Sequence, residues 1–122
     1  YALPLLRHDR RAVFASLSAR VGSITDNHLG GWYSYRSSKA ALNQLLRTFA
    51  VEARRRAPKP TVLALHPGTT DTPLSAPFQS RVPEGKLFSP PWVAEQLTQQ
   101  LDRATPEQSG RFINWQGDTL PW

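Results

Sequence analysis

The sequence predicts an α/β fold, one half of a doubly wound parallel sheet, and three observations support it. Short apolar runs at residues 12–18, 61–65 and 110–115 have the length and composition of strands. The stretches 33–57 and 90–103 between them repeat apolar residues at three- and four-residue spacing, the mark of amphipathic helices. Strands separated by helix-length crossovers pair in parallel with right-handed connections, and no internal repeat or low-complexity segment competes with that reading.

Taken in order, residues 1–7 have the apolar content of a helix end with no start signal before it. A charged turn, His8-Asp9-Arg10-Arg11, leads into the run 12–18, whose nearly continuous apolar character predicts a strand buried on both faces. Gly22, Asp26, Asn27, Gly30 and Gly31 supply turn chemistry for the loop that follows. Ala41, Leu42, Leu45, Leu46, Phe49 and Ala53 then mark one face of a helix that begins at Tyr33 and runs to Ala57, before Pro58. Residues 61–65 form a second buried strand, closed by His66-Pro67-Gly68. The segment 69–88 carries several prolines and reads as a mobile flap rather than a core element. Ser89 and Pro90 combine an N-cap with a first-turn proline, and Val93, Ala94, Leu97, Leu101 and Ala104 continue the apolar face of the helix they begin. Residues 110–115 are the last strand, and 117–122 a tail.

A chain of 122 residues has room for one core, so 1–122 is read as part of a single domain. With no cysteine there is no disulfide, thiolate metal site or cysteine nucleophile, which suits a reducing compartment and makes a cytoplasmic location the expectation. The apolar stretches are only a few residues long and the first lacks a basic flank, so neither a signal peptide nor a membrane span is expected. The formal charge of +6 raises the question of nucleic acid, but the basic residues are scattered. Their one run, Arg54-Arg55-Arg56, falls at a helix end, where cations complement the dipole. No zinc-finger, basic-heptad or basic-aromatic pattern is present, and a nucleic-acid partner is not expected.

Tyr35 and Lys39 stand four apart at the start of the long helix, so their side chains project from one face, one turn apart. An ammonium beside a phenol favours the phenolate, which makes Tyr35 a candidate general acid/base. The same spacing also arises where two amphipathic side chains merely cover apolar surface. Context separates the two readings. Ser18 at a strand end, the start of the Tyr35 helix and the Pro67-Gly68 turn all fall at the carboxyl edge of the sheet, where parallel sheets bind ligands. His66 has no second histidine or carboxylate at ligand spacing and reads as structural, so no metal is expected. Trp32, Trp92, Trp115 and Trp122 suit a substrate pocket, a core or an oligomer contact alike, and Arg36 reads as facing solvent.

Three segments, Ser18-Ala19-Arg20-Val21-Gly22-Ser23-Ile24, Tyr35-Arg36-Ser37-Ser38-Lys39-Ala40-Ala41-Leu42-Asn43 and His66-Pro67-Gly68-Thr69-Thr70-Asp71-Thr72, occur in the order found in the short-chain dehydrogenase/reductases. The chain resembles that family over essentially its whole length, and within it the C-factor-like and carbonyl-reductase-like branch. The resemblance implies the C-terminal half of a Rossmann-type sheet and an NAD(P)-dependent oxidoreductase interconverting a small-molecule carbonyl and an alcohol. By the same resemblance Tyr35 exchanges a proton with the substrate oxygen, and Lys39 holds the nicotinamide ribose and stabilises the tyrosinate, so that both border the cofactor. Pro67 and Gly68 pass the nicotinamide, and Thr70 and Thr72 help to hold the cofactor, NAD or NADP with NADP slightly preferred; that cofactor would supply the hydride. The family's Ser-Ser-x-x-Gly stands here as Ser18-Ala19-Arg20-Val21-Gly22. Either Ser18, the preferred reading, or Ser23 then supplies the hydroxyl that meets the substrate carbonyl, and a hydrogen bond to the Tyr35 hydroxyl would tell them apart. Association through the helix bearing the tyrosine and lysine is common in the family, which implies a homo-oligomer.

These 122 residues contain no glycine-rich turn of the kind that receives a pyrophosphate between a strand and a helix, and no Asn-Asn-Ala-Gly segment. The expectation is a fragment without the first nucleotide-binding half, whose open apolar sheet edge favours self-association. Such a chain alone is expected to bind NAD(P)H negligibly and to reduce no carbonyl. A reading from a different class is a non-enzymatic protein-binding or signalling module that keeps the surface of the fold.

Overall fold

The computed structural model describes residues 2–6, 9–56 and 59–122. The strands are β1 (Ala12–Leu17), β2 (Pro60–His66), β3 (Thr69–Thr70), β4 (Leu87–Phe88) and β5 (Arg111–Asn114); the helices are α1 (Tyr33–Arg56) and α2 (Pro90–Arg103). β2 is apolar without alternation and buried from Pro60 to Leu65, the pattern of a strand covered on both faces. It is accordingly the centre of a parallel sheet in the order β1-β2-β5, in which Leu17 lies opposite Leu65, and Leu65 opposite Ile113.

Alternation along β2 and β5 sends side chains to two cores. Val62, Ala64 and Phe112 meet Leu46, Ala50 and Ala53 of α1, with Leu3 and Leu120 closing that layer. Leu63, Leu65 and Ile113 meet Val93 and Leu97 of α2 on the other face. One helix on each face is the doubly wound arrangement the sequence predicts.

Several expectations change. β1 is half-buried rather than buried on both faces, because it pairs only with β2 and forms the sheet edge among the described residues. The opening segment is a single 3-10 turn, Leu3–Leu5, with proline at its start. The flap is tied at its stem, where β3 pairs in parallel with β4, and it carries a 3-10 helix, Ala76–Arg81. Ser89 has the extended backbone of an N-cap but makes no side-chain cap; its carbonyl accepts the Val93 N–H at 3.0 Å. The tail folds back on β5, with Thr119 bridged to Ile113 and the Leu120 N–H donating to the Phe112 carbonyl at 2.8 Å. Tyr1, Arg7, His8, Ala57 and Pro58, on which the predicted helix end, charged turn and end of the long helix partly fall, lie outside the described residues. Among those described, no helix is long and apolar enough to cross a membrane.

Candidate active site

The carboxyl end of β1 is joined to α1 by two hydrogen bonds one helical turn apart. The Lys39 ammonium donates to the Leu17 carbonyl at 3.1 Å, and the Ser18 hydroxyl donates to Asn43 Oδ1 at 2.5 Å. The next loop passes so close beneath α1 that a Cβ on Gly22 would stand 2.7 Å from the Lys39 Cβ, so only glycine fits there without displacing the helix. Tyr35, one turn before Lys39, is 42% exposed, and the Lys39 ammonium lies 5.9 Å from its ring centroid. The tyrosine and lysine thus share one face at the sheet edge, with the cation held by the strand end and set against the ring.

Both candidate serines are engaged by other partners. Ser18 is 4% exposed and its hydroxyl is engaged by Asn43, beneath α1. Ser23 is equally buried; its hydroxyl donates to the Trp122 carbonyl at 3.2 Å and accepts the Asp26 N–H at 3.0 Å. Neither is bonded to Tyr35. Asn43, 3% exposed, has no role by motif alone; its position eight residues after Tyr35, on the same helix row, is the signal that locates it. Its Nδ2 is left without a partner.

Pro67 and Gly68 follow β2 directly. Gly68 has φ 77°, and a Cβ there would stand 2.8 Å from the Phe88 ring and 3.2 Å from Trp115, so the bend is bare backbone against an aromatic wall. That wall is Phe88, Trp92 and Trp115, with ring centroids 4.5–5.0 Å apart. Trp92 and Trp115 are therefore packing residues, as is Trp122, which stacks on Phe112. Beyond the bend, the Ser75 hydroxyl donates to the Thr70 carbonyl at 2.5 Å, and the Thr72 hydroxyl makes only a long contact to the same carbonyl, 3.4 Å.

Two polar residues brace these loops. Arg36, expected to face solvent, instead donates to the carbonyls of Gly31, Gly30 and Val21 at 2.9, 3.1 and 3.3 Å, because the glycine-rich loop turns its carbonyls toward the helix start. His66 Nδ1 accepts the Arg20 N–H at 3.3 Å, in keeping with its structural reading, and no group of metal-ligating side chains occurs among the described residues. Burial and the nearby Arg20 cation lower the His66 pKa from 6.5 to about 4. An unfolded chain takes up this proton near the ordinary value, so the stabilisation is whole above pH 6.5 and is lost as the pH falls from there towards 4. The loss should reach up to about 3 kcal/mol. Urea midpoints at several pH values in that window should show it, and His66→Asn, which cannot titrate, should flatten the difference.

No family model matches the chain. It is 38% identical over 120 residues to the C-signal of Myxococcus xanthus, an alignment covering 98% of this chain and 67% of that protein. It is 40% identical over 106 residues to 1-hydroxy-2-glutathionyl-2-methyl-3-butene dehydrogenase of Rhodococcus sp. (strain AD45), covering 87% of this chain and 45% of that one. The solved structure of the carbonyl reductase Sniffer of D. melanogaster superposes with a TM-score of 0.77 at 29% identity, over 91% of this chain and 41% of its own. The NADPH-bound carbonyl reductase from chicken fatty liver gives 0.76 at 30% identity, over 91% and 43%. The chain spans 67% of C-signal and about half the length of other curated relatives. In fold it is a partial Rossmann-type α/β structure, matching less than half of each of these reductases. The chain belongs to the short-chain dehydrogenase/reductase family, in its C-factor-like and carbonyl-reductase-like branch.

Proposed function

We propose that these residues carry the proton-transfer part of an NAD(P)-dependent interconversion of a carbonyl and an alcohol. The observation that supports this most is the Lys39 ammonium, held at 3.1 Å by the Leu17 carbonyl and set 5.9 Å from the Tyr35 ring centroid, at the edge where parallel sheets bind ligands. One relative is named a dehydrogenase and the structural neighbours are named carbonyl reductases, one of them NADPH-bound; this supports a nicotinamide cofactor and slightly favours NADP. Those names also leave the binding or signalling module the less favoured reading.

The residues present fit the nicotinamide-ribose end of such a cofactor. Lys39 keeps donors beyond the one spent on Leu17, and the Thr72 hydroxyl is only weakly engaged. Lys39, Pro67, Gly68, Thr70 and Thr72 would hold the group, with Tyr35 beside it, and the group when bound supplies the hydride. Tyr35 gives its phenolic proton to the carbonyl oxygen in reduction and takes it from the alcohol in oxidation, with the Lys39 cation set beside its ring. Ser18 and Ser23, engaged by Asn43 and Trp122, are assigned to anchoring rather than to the substrate.

The pyrophosphate end has no counterpart in these residues, so the activity is assigned to the longest natural reading frame that carries them, the full-length protein below. With a panel of ketones and aldehydes, that protein is expected to oxidise NADPH, and calorimetry of the 122-residue chain alone to show no NADPH binding. Tight binding by the chain alone, or a full-length protein inert to the whole panel, would refute the reading.

A further inference from the structure

Trp32 is the only non-glycine among the described residues with a left-handed backbone, φ 51°, a conformation disfavoured for so bulky a side chain. It follows Gly30 and Gly31, which take positive φ freely, and the strain is held in place by Arg36. The Arg36 N–H donates to the Trp32 carbonyl at 2.8 Å and its guanidinium grips the carbonyls of both glycines. Backbone strain that the surroundings hold in this way concentrates at ligand clamps and active sites.

The strained residue does not serve the interior. Trp32 belongs to neither buried cluster, unlike the other three tryptophans. Its ring, 47% exposed, meets Phe78 edge-on at 5.5 Å, and Phe78 is itself 46% exposed. Phe78 stands on the flap, whose stem is pinned by the β3–β4 pairing and the Ser75–Thr70 hydrogen bond. The two rings therefore link the flap to the start of α1, and Trp32 immediately precedes that helix, three residues before Tyr35 in sequence.

We propose that Trp32 and Phe78 form an aromatic wall of the substrate site, which selects carbonyl compounds bearing an aromatic ring over short aliphatic ones. The proposal rests on the reading of Tyr35 as proton donor. Two half-exposed rings in edge contact offer apolar surface and ring faces to a third ring, and the Arg36 guanidinium at the start of α1 is spent on backbone carbonyls. A short aliphatic carbonyl gains little from such a wall.

The test compares 4-nitrobenzaldehyde with propanal as substrates of the full-length protein, using Trp32→Asn, which tolerates the left-handed backbone, and Phe78→Ala. Each variant is expected to raise KM for 4-nitrobenzaldehyde about tenfold while leaving its kcat, and KM for propanal, within about twofold. Equal losses for both aldehydes, or no change for either, would overturn the proposal. Benzamide, which the site cannot reduce, tests the wall without turnover. Saturable quenching of indole fluorescence by benzamide in the Tyr35→Phe protein, lost on adding Phe78→Ala, supports the wall even if Tyr35 proves dispensable. Quenching unaltered by Phe78→Ala overturns it even if Tyr35 proves essential.

Discussion

Tyr35→Phe is expected to lower carbonyl reduction by the full-length protein by about 10²–10⁴-fold, the range for loss of a positioned proton donor. The substitution removes one oxygen and keeps the ring against which the Lys39 ammonium sits. That oxygen holds neither Ser18 nor Ser23, whose hydroxyls bond Asn43 and Trp122, and the residue is 42% exposed. The fold should therefore be unchanged, with a melting temperature within a degree or two of the parent, so that the fall is chemical. NADPH oxidation with 4-nitrobenzaldehyde, measured beside thermal unfolding, checks it. A variant that keeps a tenth or more of the parental rate would remove Tyr35 from the proton transfer.

The elements the sequence predicts best are those whose periodicity matches one environment. α1 meets β2 through Leu46, Ala50 and Ala53, and α2 meets its other face through Val93 and Leu97, so both helices stand where their spacing indicates. Ala41, Leu45 and Ala94 of the predicted faces are nevertheless exposed, because the buried row is narrower than the apolar one. The central strand is equally plain, because an uninterrupted apolar run must be covered on both faces. β1 shows the limit of that argument. Ala12 to Leu17 is as apolar as β2, yet composition carries no information on the number of neighbours, and among the described residues β1 has one. The two-residue strands β3 and β4 leave no periodic trace at all, since two residues are too few to show an alternation.

The site was legible to the same uneven degree. Tyr35 and Lys39 share a face because helical spacing requires it, and the structure adds the Leu17 carbonyl, a backbone group that no side-chain motif can reveal. Which way the Ser18 hydroxyl points depends on which side of β1 faces α1, and that follows from packing rather than local sequence. Arg36 departs from its expected exposure for a related reason. A long cation at a helix start is ordinarily solvated, but the positive-φ glycines 30 and 31 aim carbonyls at it.

Lys39→Met is expected to cost about 10²–10³-fold in carbonyl reduction, and the way that loss divides tests whether charge or scaffolding is responsible. The methionine keeps the stem that packs beside Gly22 but gives up the bond to the Leu17 carbonyl and the cation beside Tyr35. Losing one such hydrogen bond costs about 1 kcal/mol of stability, far too little to explain a hundredfold fall at a temperature where the protein stays folded. Lys39→Arg separates the contributions further. A guanidinium retains the charge and can still donate to the carbonyl, but its planar fork does not reproduce the compact ammonium. It should recover part of the rate and most of the stability. If Met and Arg variants lose activity equally while both remain folded, the position of the nitrogen outweighs its charge. If Lys39→Met stays within threefold of the parent, the lysine is a surface residue covering apolar neighbours, and the site must be sought away from the carboxyl end of β1.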